Sequence, residues 1–314
     1  MNIASDVYRS ITSNKLFFSG VAITGILLSH LIGVDQEHLF WRIFYPGFVG
    51  VDFFLFYSGY GLCRSFESNT AGIFYMHRIK RIYPMLVLFT LLSYWVKHAL
   101  AREDFNALDV LSNLLALNFW GFGGFKIEWY LCFIIYLYLL FPLLYRFVRR
   151  CGIASVIISF FPLFTFLYFH REGWFYQCAF SRIPVFLLGI LCYQRNTPET
   201  YEKGLYVFLP AFLLMGSFFC MGFVQKFELV YMSAPFLLWA LEWICRRSIE
   251  RRNIAFRTFC FLGQYSLEIY VANMLILQII PFIHIPCPVA VTYFTSHILI
   301  ASALAGANHI FNKL

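Results

Sequence analysis

Charge is what this sequence has least of. Only 13% of its 314 residues are Asp, Glu, Lys or Arg, about half the share of a soluble globular chain. A water-soluble fold would have too few polar side chains to cover its surface, and the mean hydropathy of +0.70 points the same way. There is no CxxC pair and no Cys/His spacing of the kind that holds zinc, so no metal is expected. The nine cysteines are scattered. Most, such as Cys132, Cys192 and Cys220, sit in apolar stretches and read as small core residues, so they leave the redox compartment open. No linker, repeat or low-complexity tract divides the chain, which is expected to form a single integral-membrane domain over residues 1–314. An Arg-rich fourth span, as in a voltage sensor, is missing. So are the paired Gly/Pro-broken spans of many secondary transporters. The first apolar run starts near Leu16 and lacks a small-residue cleavage site before a polar mature chain, so it reads as a span and not a removable leader.

What the chain does have is apolar bulk. Hydrophobic residues make up 61% of it and aromatics 21%, with 39 Phe and 20 Tyr. Such a composition suits helices with bulk facing acyl chains and aromatic rings at the headgroups. The expected fold is all-α, a polytopic bundle of about ten helices of roughly 20 residues each. The candidate spans are residues 16–34, 44–63, 83–99, 128–148, 152–169, 182–194, 204–222, 227–245, 258–282 and 288–310. The apolar stretch Leu108 to Phe119 is too short to cross and reads as an interfacial or re-entrant helix. The net charge of +8 does not point to nucleic acid, because the basic residues stand in short clusters between apolar runs. With the N-terminus inside, most Lys and Arg fall on inside segments, which selects N-in and, for an even number of spans, C-in.

Ionisable groups within spans are costly and usually face a cavity or a partner. His30 ends the run Gly20 to His30. At 1.5 Å per residue it lies roughly 20 Å from the cytoplasmic start of its span, in the outer half of the bilayer. Its imidazole can take a proton and return it; a loop-bonded interfacial His is the alternative. Asp52 stands between Val51 and Phe53 and must be paired, protonated or wet. Around it, Gly47, Gly50, Gly59 and Gly61 either let helices pack closely or open main chain to a ligand. Arg78 and Arg81 are three apart, so on a helix they share a face and can grip one polyanion; contact with lipid phosphates is the simpler alternative. Pro84 is expected in the first turn of the next span. Trp129 opens the fourth span, and Glu268 lies early in the ninth, where it could pair with an Arg of another span.

Taken in order, these pieces resemble the acyltransferase-3 family of membrane O-acyltransferases. The likeness rests on a first span ending in His30 and on a Gly-x-x-Gly-Val-Asp-x-Phe-Phe-x-x-Ser-Gly-Tyr type segment from Gly47 to Tyr60. It continues with an Arg-x-x-Arg-Ile-x-Pro turn from Arg78 to Pro84, a Trp-initiated span from Trp129 to Pro142, and a Gly-x-Tyr-Ser-x-x-Ile-Tyr segment from Gly263 to Tyr270. The chain departs from the family at three places. Ser19 stands where many members carry Arg, with Lys15 one turn away; Ile134 stands where many carry Glu; and Asn273 stands where His is frequent.

The resemblance implies an acyltransferase of the bacterial cytoplasmic membrane. It would move an acyl group, usually acetyl from acetyl-CoA, to a hydroxyl of an envelope or exported polysaccharide or its lipid-linked precursor. No bound cofactor is implied; acyl-CoA is a substrate, and the other partners are the carbohydrate acceptor and the bilayer. In this reading His30 takes the acceptor's proton, Asp52 orients His30 or the sugar, and Ser58, Tyr60 and Trp129 contact the oxyanion or substrate. Arg78 and Arg81 hold the coenzyme A phosphates. A flippase for a lipid-linked sugar, or a non-catalytic partner in an envelope-synthesis complex, would use the same polar residues without a thioester donor.

Overall fold

The computed structural model describes residues 3–34, 39–104, 106–122, 129–169, 174–220, 232–282 and 289–311. All regular structure among them is helical. The α-helices are α1 (Ile3–Ser13), α2 (Lys15–Val34), α3 (Gly50–Ser68), α4 (Ala71–Val96), α5 (Ala107–Leu114), α6 (Trp129–Cys151) and α7 (Ile153–Phe169). They continue as α8 (Trp174–Phe180), α9 (Ile183–Arg195), α10 (Pro198–Cys220), α11 (Ala234–Arg251), α12 (Ile254–Gln264), α13 (Ser266–Ile279) and α14 (Val289–Phe311). By length and composition Ala71–Ala101 and Trp129–Cys151 can each cross a membrane, and α12 with α13 can do so as one broken span. The expected span 227–245 begins outside the described residues.

Two expectations need correction. Residues 64–82 lie between the expected spans 44–63 and 83–99, but α3 runs to Ser68 and helix resumes at Ala71, so Arg78 and Arg81 are helical and Pro84 lies inside α4, not in its first turn. Proline there removes one backbone hydrogen bond, a loss that helices in lipid tolerate because neighbours can satisfy the freed carbonyl. The span expected over 258–282 is interrupted at Tyr265, whose φ of −101° and ψ of 20° end α12 and begin α13.

The surface inverts the pattern of a soluble protein. Phe161, Leu143, Trp243, Ile298 and Leu299 are all more than half exposed. In α5, Leu108 and Leu111 point outward while Ser112 and Asn113 are buried. That is the reverse of an amphipathic helix in water, and it fits apolar surroundings.

Contacts divide the chain into two interleaved units. The first comprises residues 1–22, 49–70 and 140–263. Its best-packed pair is α3 with α9. A Cβ on Gly59 would sit 2.2 Å from the Phe186 carbonyl oxygen, and one on Gly189 would sit 2.2 Å from that of Phe56. Only hydrogen fits at both places, so the two backbones touch, as small residues permit within a membrane. Buried phenols tie α1 into this unit: Tyr8 donates to the Cys192 carbonyl at 2.9 Å, and Tyr57 donates to that of Ile11 at 2.9 Å.

The second unit comprises residues 23–48, 71–139 and 264–314. Here α13 packs on α14 and α4. Leu31, Ile276 and Tyr293 form a buried apolar cluster. Polar groups are frequent between its helices. Gln278 donates to Ser93 at 3.2 Å, Asn113 donates to the Tyr94 phenol at 2.7 Å, and Asn308 donates to Glu268 at 2.6 Å. The last bond gives Glu268, for which an Arg was one possible partner, an amide instead.

Candidate functional site

In the second unit, His30 lies near the end of α2, where one helical turn of Gly25 to Ser29 carries no charge. The ring is half-buried and its Nδ1 is 2.5 Å from Nδ2 of Asn273, on α13. Asn273 is fully buried. The other end of its carboxamide meets two groups from α14, the Tyr293 phenol at 2.6 Å and His297 Nε2 at 3.1 Å. The Tyr293 phenol also reaches the Leu27 carbonyl of α2 at 3.0 Å. His297 Nδ1 lies 2.6 Å from the Tyr293 carbonyl, one turn back on its own helix. Three helices thus meet in a chain of uncharged hydrogen-bonding groups with an imidazole at its accessible end. Such a chain can hold its groups in place by hydrogen bonds without a buried charge at rest.

Asp52 belongs to the first unit and has a different environment. It is wholly buried on α3, and its Oδ2 lies 3.3 Å from Nε of Arg182, itself 2% exposed. Arg182 also donates through Nη1 to the Cys178 carbonyl at 2.6 Å. The structure therefore shows Asp52 paired, one of the three states open to it in the sequence, and the partner is the Arg that precedes α9. Ser58 follows on α3 and is half-buried. Tyr60 packs edge-to-face on Tyr193 at 5.3 Å. With Glu67, Tyr145, Arg149, Gln194, Arg195 and Asn196 these two rings line a polar cavity of about 650 Å³. Glu67 closes one side of it, accepting from the phenols of Tyr145 and Tyr193.

Arg78 and Arg81 share a face of α4 in the second unit, but their surroundings differ. Arg81 is exposed. Arg78 is half-buried, with its guanidinium 5.8 Å from the centre of the Phe74 ring, within cation–π reach. It lines a mostly apolar cavity of about 450 Å³ together with Tyr75, Ile82, Ile135, Tyr138 and Leu139. His30 does not line this cavity. Trp129, the first residue of α6, is half-buried against Tyr130 and Phe133. Its neighbour Glu128 lies outside the described residues.

The sequence profile of the acyltransferase-3 family, described as an acyltransferase domain, matches residues 20–304. The chain belongs to the acyltransferase-3 family. No curated protein and no solved structure matches it. The match makes this protein an acyltransferase and, with its apolar helices, an integral membrane protein.

Sequence reasoning about this acyltransferase-3 chain missed three residues. His297 met the criterion that picked out His30, an ionisable side chain inside an apolar run, and could have been found that way. Arg182 met it too, at the edge of a span. Tyr293 carried no signal among 20 tyrosines. At the first departure from the family pattern, Ser19 is buried. The Lys15 ammonium lies beside α3, where a Cβ on Gly61 would be 3.5 Å from it.

Proposed function

We propose that this acyltransferase moves acetyl from cytoplasmic acetyl-CoA to a hydroxyl of an envelope or exported polysaccharide, or of its lipid-linked precursor. The observation that carries the reading is the half-buried imidazole of His30, backed by a buried network that holds protons but no charge. In the proposed step the acceptor hydroxyl gives its proton to His30 as its oxygen attacks the thioester carbonyl. The C–S bond then breaks, and the coenzyme A thiolate leaves, taking the proton from the imidazolium. A proton is borrowed and returned, so no metal or redox partner is needed to balance the step.

Arg78 and Arg81 are proposed to bind the phosphates of the donor. Guanidinium groups suit a polyanion, and the thin pantetheine arm suits the apolar cavity that Arg78 borders. Ser58, Tyr60 and Trp129 are proposed as oxyanion or substrate contacts. Asp52 is proposed to act through Arg182, since its carboxylate is already engaged. In this reading residues 1–314 form one domain of about ten spans, with both termini in the cytoplasm of a bacterial cell. A flippase or a silent partner is disfavoured, because family membership shows an acyltransferase.

The test is incubation of the purified protein with radiolabelled acetyl-CoA and candidate glycans, followed by mapping of the labelled position. Label on a carbohydrate oxygen, with release of free coenzyme A thiol, is expected. Failure to label any hydroxyl-bearing acceptor while coenzyme A stays acylated contradicts the proposal.

A further inference from the structure

Counting protons around Asn273 shows which way its carboxamide faces, and that in turn decides what His30 can do. The count begins with His297. Its Nδ1 lies 2.6 Å from the Tyr293 backbone carbonyl, which can only accept, so Nδ1 carries the proton. A neutral imidazole then has a bare lone pair on Nε2. That nitrogen is 3.1 Å from the near end of the Asn273 carboxamide, and a short contact to a lone pair requires a donor there.

The Tyr293 phenol gives the same answer independently. It has one proton and two close neighbours, the Leu27 carbonyl at 3.0 Å and the same carboxamide end at 2.6 Å. The carbonyl can only accept, so the phenol proton goes to Leu27. The phenol oxygen then has lone pairs to offer, and again the carboxamide must donate. An amide –NH₂ has two protons, one for each of these acceptors.

The opposite orientation fails on both counts. With the amide oxygen toward α14, two acceptors compete for the single phenol proton, and His297 must be doubly protonated to meet that oxygen. That would bury a cation beside neutral groups, which is costly. A half-turn about the terminal torsion of Asn273 exchanges its two ends within nearly the same volume, so the protons select the arrangement. The end facing His30 at 2.5 Å is then the oxygen.

We infer that Asn273 is a positioning residue for acyl transfer. Its side-chain oxygen accepts a hydrogen bond from Nδ1–H of His30 and thereby leaves the lone pair of Nε2 free to receive the acceptor's proton. Tyr293 and His297 hold the carboxamide in that orientation. In the reversed arrangement His30 would bear its proton on Nε2 and have no basic atom to present. This deepens the reading of His30 as the general base and rests on it.

The first test does not depend on activity. Nitrogen-15 spectra of the full-length protein labelled at histidine report which ring nitrogen of His30 is protonated, and the resonance is identified by its loss in His30→Gln. A proton on Nδ1 is expected; a proton on Nε2 overturns the inference, whether or not His30 proves to be the base. The second test is kinetic, with acetyl-CoA as the varied substrate and thiol release as the signal. Asn273→Leu should lower kcat by about 100-fold, with KM for acetyl-CoA changed by less than about twofold. A Leu variant with unchanged kcat overturns the positioning role. If the Leu variant does not fold, the wild-type spectrum still decides.

Discussion

The two units of this protein bury polar groups in opposite ways. In the first, Asp52 and Arg182 form a charged pair with almost no exposure. In the second, His30, Asn273, Tyr293 and His297 form a neutral network. Removing either charge of a buried ion pair leaves the other stranded in an apolar interior. The neutral network places its protons by hydrogen bonds alone, with no formal charge, and its outermost ring, His30, is half-buried. The proposed chemistry uses the uncharged chain, while the charged pair is expected to contribute to stability.

Substitutions in each unit test the contrast. The largest effect on the fold is expected at the charged pair: Asp52→Ala should cost about 3–5 kcal/mol of stability, read from thermal unfolding of the detergent-solubilised protein. Replacing both partners, as in Asp52→Leu with Arg182→Met, should recover most of that loss. Equal damage from the single and double variants would show that the two groups are not coupled. A smaller effect is expected at the contact between α3 and α9. Gly189→Ala places a methyl against the backbone oxygen of Phe56 and should cost about 1–3 kcal/mol, and an unchanged melting temperature would mean the helices can part freely. The smallest effect concerns the donor. Arg78→Ala should raise the KM for acetyl-CoA by about tenfold, near 1.4 kcal/mol. Arg81→Ala, which removes an exposed group, should raise it less. The reverse ranking would move the phosphate contacts away from the apolar cavity.

Much of the helical architecture was legible because lipid-facing helices announce themselves by long apolar runs. The limits of α6, α7 and α9 fall within three residues of the stretches read from hydropathy alone. The reading failed where charge and helix coincide. The run from Ala71 to Arg81 looks like a loop because it carries Arg78, Lys80 and Arg81, yet long basic side chains can reach out from a helix, and α4 runs straight through them. The break at Tyr265 was hidden for a related reason: both sides of it are apolar, and hydropathy has no term for a single non-helical residue. In the candidate site, His30 and Asp52 were visible as rare ionisable groups in apolar runs. Their partners were not. Asn273 and Tyr293 are 243 and 263 positions from His30, and nothing local marks which amide or phenol a distant imidazole will meet. Ser19 was visible as a departure from the family pattern, and so was Asn273, but only the fold shows that Asn273 touches His30.

Acyl transfer by this protein is proposed to depend on the imidazole of His30. The most direct measurement is transfer of radiolabelled acetyl from acetyl-CoA to carbohydrate by purified wild-type protein and by His30→Ala, inserted in membranes at matched levels. The variant should insert normally and lose about 10²–10⁴-fold in turnover, the usual contribution of a positioned acid–base group. Transfer at the wild-type rate would contradict the assignment and leave the neutral network without a role in the reaction.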